Sequence, residues 1–318
     1  MATVEIRTEF GRATRRKALF IVNPKSGSQR ALELIAPVIE ALSNKGYETW
    51  AFTTTCRGDA TRLVSEYAGE CEHLVVVGGD GTMNEVVRGI MTLEKPLRPT
   101  IGYIPMGSTN DYGVALGLSK RPDLLIETAI NGVPTDIDVG CFNGRHYAYL
   151  ASFGAFTDIS YSTPQHAKNA LGFLAYLGSG VSSIANIRPI RTHMVINGEE
   201  TVDDYAFVSV SNTPSVVGVI NYDRVDLNDG LFEVMLINYP DNALKLGKVA
   251  RALSTGDYPN ELMHICACSS VRFTLDDHAN WMLDGELVES GPEVRIENIH
   301  SAIKIMLPRP ERRRLLFE

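Results

Sequence analysis

No stretch of this 318-residue chain stays apolar for the length a bilayer-spanning helix needs, and the first residues lack the apolar centre of a signal peptide. A cytoplasmic protein is expected. Cysteine is scarce. There are five, an odd number, and no metal-ligand spacing occurs beyond Cys266-Ala267-Cys268, which reads as a strand segment. That argues against a disulfide framework and for reduced thiols. Positive charge is also in deficit: 30 Lys and Arg against 38 Asp and Glu give a net charge of −8, which speaks against a nucleic-acid partner. The local basic clusters Arg15-Arg16-Lys17 and Arg312-Arg313-Arg314 read as solvated termini, or as contacts to an anionic membrane surface. Internal repeats and low-complexity segments are missing. What remains is a chain with 44% hydrophobic residues, ordinary for a globular protein and long enough for two domains.

The segment from Leu74 to Val87, L-V-V-V-G-G-D-G-T-M-N-E-V-V, is the most informative. Four consecutive hydrophobes without alternation suit a strand buried on both faces of a parallel sheet. Gly78, Gly79 and Gly81 lack a Cβ, so the chain can turn sharply and bring backbone N–H groups close to a ligand. A helix starting near Thr82 points its unpaired N–H groups and positive dipole end at the same place, which favours phosphate. An ordinary strand-turn-helix corner is the plainer reading of the glycines. Asp80 argues against it, because a carboxylate aimed at an anion site makes sense chiefly with a metal ion between the two.

Around this segment the first 140 residues alternate strand and helix. Strands are expected at Ala18 to Val22, Glu48 to Thr54, Leu74 to Val77 and Thr100 to Ile104, with helices at Gln29 to Lys45, Gly58 to Tyr67 and Thr82 to Met91. Such alternation implies a parallel sheet covered on both faces, with ligands at the carboxyl ends of the strands. The unusual loops all follow strands: Asn23 to Gly27, Thr53 to Gly58, Gly78 to Thr82 and Pro105 to Asp111. They are expected to share one edge.

Beyond about Val139 the pattern becomes short strand-like runs: Tyr147 to Ser152, Thr192 to Ile196, Ala206 to Ser211, Leu231 to Ile237, Val271 to Leu275 and Ser301 to Leu307. Asn143-Gly144, Asn197-Gly198, Asp229-Gly230 and Asp284-Gly285 are hairpin-type turn pairs. A mainly antiparallel β domain follows, interrupted by helical stretches near Ala167 to Ile184 and Leu244 to Leu253.

Asn-Pro-Lys-Ser-Gly at 23 to 27, Gly-Gly-Asp-Gly-Thr-Met-Asn-Glu-Val at 78 to 86 and Pro-Met-Gly-Ser-Thr-Asn-Asp at 105 to 111 resemble the diacylglycerol kinase catalytic-domain family, which includes the sphingosine kinases. Asn-Asp-Gly-Leu-Phe at 228 to 232 and Leu-Asp-Gly-Glu at 283 to 286 extend the resemblance into the second half. Phe153 to Thr157 with Tyr161 to Pro164 is similar to the soluble Gram-positive diacylglycerol kinase. The motifs cover nearly the whole chain and stand in the family's order.

The resemblance implies an α/β domain like that of NAD kinase and phosphofructokinase, over residues 15–139, and a β-sandwich over 140–300, with 300–318 free to return to the first domain. It implies ATP-dependent phosphorylation of a lipid hydroxyl, with diacylglycerol as substrate at a membrane surface and phosphatidic acid as product. Asn23, Pro24, Lys25, Ser26 and Gly27 would border ATP, and Thr54 would match a nucleotide-binding threonine. Gly79, Asp80, Gly81, Thr82, Met83, Asn84 and Glu85 would cradle phosphate, while Ser108 stands where the family's loop has threonine and keeps its hydroxyl. Asp80 would organise catalytic Mg2+, with Asp111 as its partner. Asp284 and Glu286 occupy the family's position for the group that accepts the hydroxyl proton. Only one is expected to reach it, Glu286 in preference. A second, bracing magnesium is implied at Asp226, Asp229 and the Leu231 carbonyl, although Tyr222 to Val225 is one residue shorter than the family's stretch. Phe153, Phe156, Phe173 and Tyr176 are candidates for a lipid pocket, with the core as the alternative. Homodimers occur in the family. The rival acceptors are phosphatidylglycerol, a sphingoid base or a soluble NAD-like molecule, and the rival class is an inactive nucleotide-binding regulator, against which the carboxylates Asp80, Asp284 and Glu286 speak.

Overall fold

The computed structural model describes residues 16–155, 187–216, 220–222, 225–276 and 279–309. Its first half alternates β1 (Arg16–Val22), α1 (Ile35–Asn44), β2 (Tyr47–Thr53), α2 (Asp59–Tyr67), β3 (His73–Gly78), α3 (Asp80–Ile90), β4 (Thr100–Pro105), α4 (Asp111–Ala115) and α5 (Pro122–Asn131). The strands pair in parallel in the order β2-β1-β3-β4. The unalternating apolar runs are explained by two separate cores. Leu19, Ile21, Leu74 and Val76 pack with Leu63, Val64, Val86 and Val87 of α2 and α3. Phe20, Val22, Val75 and Val77 pack with Val38 and Leu42 of α1 and Leu125 and Ala129 of α5. β1 and β3 therefore bury both faces, whereas the edge strand β2 alternates exposed and half-buried residues.

The helix expected from Gln29 begins later. Residues Ser26–Leu34 form 3₁₀ turns, and α1 starts at Ile35. Pro37 is the reason: its ring would collide with the carbonyl four residues back in a continuous α-helix, but it is tolerated in a first turn, where the structure puts it. Arg16 and Lys17, read as solvated or membrane-facing, are held locally. Arg16 pairs with Glu72 and lies over Tyr47, and Lys17 pairs with Glu70 and lies over Trp50. Arg15 and Arg312 to Arg314 lie outside the described residues.

The second half contains β5 (Val133–Phe142), β6 (Arg145–Tyr147), β7 (Leu150–Gly154), β8 (Ile190–Ile196), β9 (Glu199–Ser211), two short pieces β10 (Ser215–Val216) and β11 (Ile220–Asn221), and β12 (Phe232–Asn238). It ends with α6 (Ala243–Thr255), β13 (Met263–Cys268), β14 (Ser270–Leu275), β15 (Asn280–Leu283), β16 (Glu286–Glu289) and β17 (Glu293–Leu307). Pairing here is antiparallel, and β9 changes partner along its length, from β8 to β7 and β12. The sandwich core is aromatic: Trp281 contacts Phe153, Phe142 and Phe273 at ring-centroid distances of 4.6, 4.9 and 5.3 Å. Phe153, a lipid-pocket candidate from sequence, is thus fully buried core. Phe156, Phe173, Tyr176 and the helix expected near 167–184 lie outside the described residues. Strand β17 joins the two halves, because it pairs antiparallel with β14 and β5 and, at Ile305, parallel with Ile101 of β4.

Asn143-Gly144, Asn197-Gly198 and Asp284-Gly285 have positive φ at both residues and close the hairpins β5–β6, β8–β9 and β15–β16. Asp229-Gly230 differs. Only Gly230 has positive φ, and the turn leads into β12, whose partners are β9 and β13. The run Tyr147 to Ser152, expected as one strand, breaks at Ala148-Tyr149 between β6 and β7, for a reason that lies in the site.

One buried group makes stability pH-dependent. His73 is 1% exposed, its Nε2 is 2.9 Å from the Ala129 carbonyl oxygen, and burial lowers its pKa to about 4. The unfolded chain binds this proton more readily, so stability is full above about 6.5 and falls as pH drops towards 4, at about 1.4 kcal/mol per pH unit. Urea melts between pH 7 and 4.5 should differ in slope by that amount between wild type and His73→Gln, because the raised carboxylates Asp111 and Glu233 act in the opposite direction in both. An unchanged slope in the variant would assign the effect to other groups.

Candidate active site

The carboxyl ends of β1 to β4 do meet at one edge. Asn23 donates through Nδ2 to Thr82 Oγ1 at 3.0 Å, joining the first loop to the glycine-rich turn. That turn meets the fourth loop glycine to glycine, since a Cβ on Gly107 would lie 2.7 Å from the Gly79 Cα. A Cβ on Gly78 would lie 2.6 Å from the Thr82 Cβ, whereas one on Gly81 would meet nothing within 4 Å. None of the three glycines of the turn has positive φ. Close packing at Gly78 and Gly79, and open space for a ligand at Gly81, are therefore their uses here, not a left-handed turn. No side chain caps α3, so its first N–H groups face the loop edge.

The residues expected to cradle phosphate divide by helix face. Gly81, Thr82 and Glu85 line a cavity of about 300 Å³ with Asn23, Lys25 and Thr54, and Arg57 and Glu286 border the same space. Asp80 and Asn84 point elsewhere, and Met83 is fully buried in the core. Asp80 accepts N–H bonds from Asp111 and Tyr112 at 3.1 Å each and the Thr109 hydroxyl at 3.2 Å, so it caps α4. Glu85 accepts from Gly58 N (2.8 Å) and Ala60 N (3.1 Å), capping α2. Of the first loop, Ser26 is buried and its N–H binds the Asn23 carbonyl, Lys25 N binds Asn23 Oδ1, Pro24 is half-buried, and Gly27 has the positive φ (61°) that glycine tolerates best. Ser108 is exposed at the tip of the fourth loop.

Asp284 and Glu286 separate clearly. Asp284 is 3% exposed, and each carboxylate oxygen takes two donors: Oδ2 from Asn84 Nδ2 (2.6 Å) and Ala148 N, Oδ1 from Tyr149 N and Leu150 N (3.0 Å each). The break between β6 and β7 exists to aim these three N–H groups at one carboxylate. Burial raises the Asp284 pKa above the ordinary carboxylate value, against the opposing pull of the four donors. Glu286, two residues on, has a side chain 16% exposed at the cavity, and its Oε2 lies 2.9 Å from both Arg57 Nη2 and Arg145 Nη2. Tyr112 of α4 stacks on Tyr149 with centroids 5.3 Å apart, a second link between the halves.

Asp111 stands next to Asp80 and is partly open to solvent, yet enough protein surrounds its carboxyl that desolvation, followed by the charge of Asp80, raises its pKa to about 6. Two neighbouring carboxylates that repel each other form an oxygen donor set suited to magnesium, which uses one or two protein carboxylates and completes its shell with phosphate and water. The second expected metal position lies in the loop before β12. Asp226 Oδ1 accepts Asn228 N, Asp229 Oδ1 accepts Leu231 N, and the Leu231 carbonyl accepts the Asn298 amide. Each expected ligand carries one such bond, and no step is routed through a metal there. Among the described residues, no group of three or more His, Cys, Asp and Glu side chains is placed to hold a metal. The loop is secured instead by Asp138, fully buried, which accepts from Gly230 N and Ser301 N at 2.7 Å each and pairs with His300 Nδ1 at 3.0 Å. The sequence reading missed Asp138. Its signal was an acid within the apolar run Ile137-Asp138-Val139.

A larger cavity, of about 670 Å³, begins at Asp111 and is bounded largely by apolar side chains, including Val114, Leu116, Ile137, Leu227 and Leu307. It lies between α4 of the first half and the loop preceding β12.

A parallel α/β sheet whose strand-end loops form a polar pocket, faced by an acidic turn from a β-sandwich, defines a two-lobed phosphotransferase. Residues 17–142 match the diacylglycerol kinase catalytic domain, and 157–307 match the YegS C-terminal NAD kinase beta sandwich-like domain. A diacylglycerol kinase of Bacillus subtilis (strain 168) is 33% identical over 309 residues, covering 94% of this chain and 99% of that protein. One from Staphylococcus epidermidis is 31% identical over 299 residues, with 93% of each chain covered. The crystal structure of a diacylglycerol kinase from Bacillus anthracis str. Sterne superposes with a TM-score of 0.73 over 94% of this chain and 98% of that one, at 19% identity, a likeness of fold. The chain belongs to the diacylglycerol kinase family and is a lipid kinase.

Proposed function

We propose that the enzyme transfers the terminal phosphoryl group of ATP to the free hydroxyl of diacylglycerol, giving phosphatidic acid and ADP. The observation that carries this reading is the bond from Asn84 to Asp284, which draws the Leu-Asp-Gly-Glu turn against the glycine-rich helix and sets Glu286 at the pocket edged by the strand-end loops. ATP is placed with its phosphates towards Gly81, Thr82 and the start of α3, beside Asn23, Lys25 and Thr54. Glu286 takes the proton of the acceptor hydroxyl as its oxygen forms the new P–O bond. The bond from that phosphorus to the bridging oxygen breaks, and ADP departs with the electron pair. Asp284 is the positioning residue, since both its oxygens are fully engaged. Asp80 and Asp111 would hold magnesium, which neutralises charge developing on the phosphate oxygens. The apolar cavity beginning at Asp111 supports an acceptor with hydrocarbon chains, and such a substrate places the enzyme at a membrane surface. Among the described residues no helix is long and apolar enough to cross that membrane.

The test is an assay with γ-labelled ATP, Mg2+ and separate vesicle or micelle preparations of diacylglycerol, phosphatidylglycerol and a sphingoid base, alongside soluble NAD. Label on diacylglycerol, migrating as phosphatidic acid, is expected. Label found only on the water-soluble acceptor overturns the lipid assignment, and preferential label on another lipid replaces the substrate.

A further inference from the structure

Glu286 is held by arginines from both lobes. Arg57 follows β2 and Arg145 lies on β6, yet both guanidinium groups converge on the same oxygen, Oε2, at 2.9 Å each. The arrangement is unbalanced in charge and in hydrogen bonding. Two cations meet the Glu286 carboxylate, and a third cation, Arg88 on α3, and a second carboxylate, Asp284, are both near enough for their charge to be felt at Arg145. Arg145 Nε is buried and has no hydrogen-bond partner. The Arg145 guanidinium offers five N–H donors in a fork suited to an anion with several oxygens, and its Nε is left over when Nη2 binds a single carboxylate oxygen. The group that would satisfy such donors is a terminal phosphate, and the cavity that Arg57 and Glu286 border is the one placed at the nucleotide. The two ion pairs on Oε2 fix how the Glu286 carboxylate is turned.

We propose that Arg57 and Arg145 form an exchangeable clamp: they hold Glu286 until the terminal phosphate of the nucleotide competes for them, and their transfer to the phosphate releases Glu286 to face the acceptor hydroxyl. Phosphate entry and exposure of the proton acceptor then become one event. With nucleotide bound, the two guanidiniums lie where charge develops on the phosphate oxygens. Arg57, with a side chain 72% exposed, is the outer arm, and Arg145, 32% exposed, is the inner one.

The inference rests on the reading of this pocket as the nucleotide site, and the experiment separates the two. Binding of MgATP and MgADP is measured by calorimetry on the full-length wild-type protein and on Arg57→Gln and Arg145→Gln, with thermal melts of each. ATP affinity is expected to fall at least about 10-fold in each variant, ADP affinity to stay within about twofold, and Arg145→Lys to recover only part of the loss because lysine lacks the fork. Arg57 is exposed enough that its variant should melt with the wild type, so the clamp stays testable even if Arg145→Gln folds poorly. Equal ATP affinity in wild type and Arg57→Gln overturns the clamp and leaves the nucleotide site standing. Equal losses for ATP and ADP also overturn it, because the arginines would then be structural. A wild-type protein that binds neither nucleotide overturns both.

Discussion

Replacing Glu286 by Gln is expected to lower turnover by about 10²- to 10⁴-fold while leaving the melting temperature close to that of wild type. The substitution preserves shape and removes the negative charge and with it the ability to take a proton. Glu286 is on the cavity side of its hairpin and is not part of the buried bond set that supports the fold, so stability has little to lose. Its charge, however, holds two guanidinium groups. Without it the arginines are easier to draw onto phosphate, and the Michaelis constant for ATP should fall or stay level as turnover collapses. Initial rates against ATP concentration, at saturating diacylglycerol, separate the two parameters. Turnover within a few-fold of wild type would move proton acceptance to another group, and a raised Michaelis constant with normal turnover would make Glu286 a binding residue only.

Much of this arrangement was legible in the chain. The β3 run Leu74 to Val77 announces burial on both faces because nothing polar interrupts it, and the structure gives it one core on each side. Loop convergence followed from the parallel order alone, since every unusual loop of the first half follows a strand. Hairpins were legible where Asn-Gly or Asp-Gly could take two left-handed residues, and Asp229-Gly230 misled because its aspartate stays on the other side of φ. What sequence could not resolve was direction. Within the stretch Gly79 to Glu85, whether a residue meets ligand, core or a neighbouring helix depends on which face of α3 it occupies and what packs there. Glu85 lines the cavity, yet its carboxylate is also spent on the start of α2, which the sequence does not announce. Asn84 and Asp284 lie 200 positions apart, and no local pattern signals that one amide will meet one carboxylate. The choice between Asp284 and Glu286 was equally hidden, because it turns on the backbone break at Ala148-Tyr149, which points N–H groups at one residue and not the other.

Asp284→Asn tests that division from the opposite direction and is expected to cost stability as well as activity. Asparagine tolerates the positive φ of 48° at this position, so backbone strain is not the cause. The loss is of acceptors. Four donors converge on the carboxylate, from Asn84, Ala148, Tyr149 and Leu150, and an asparagine presents one oxygen to two of them and an NH2 group to the others. Buried donors left facing a donor cost on the order of 3 kcal/mol together, the range for breaking a buried charged hydrogen-bond set. Denaturant melts should show that loss. Adding Asn84→Ala should cost less in the double variant than in the wild-type background, because one of the stranded donors is removed. Turnover should fall too, since the bond from Asn84 fixes the turn that carries Glu286 against the first lobe. The two substitutions are thus predicted to differ in kind: Glu286→Gln loses activity with its fold intact, whereas Asp284→Asn loses both. If Asp284→Asn instead kept full stability and lost turnover alone, the buried carboxylate would be the proton acceptor and Glu286 the residue that positions it.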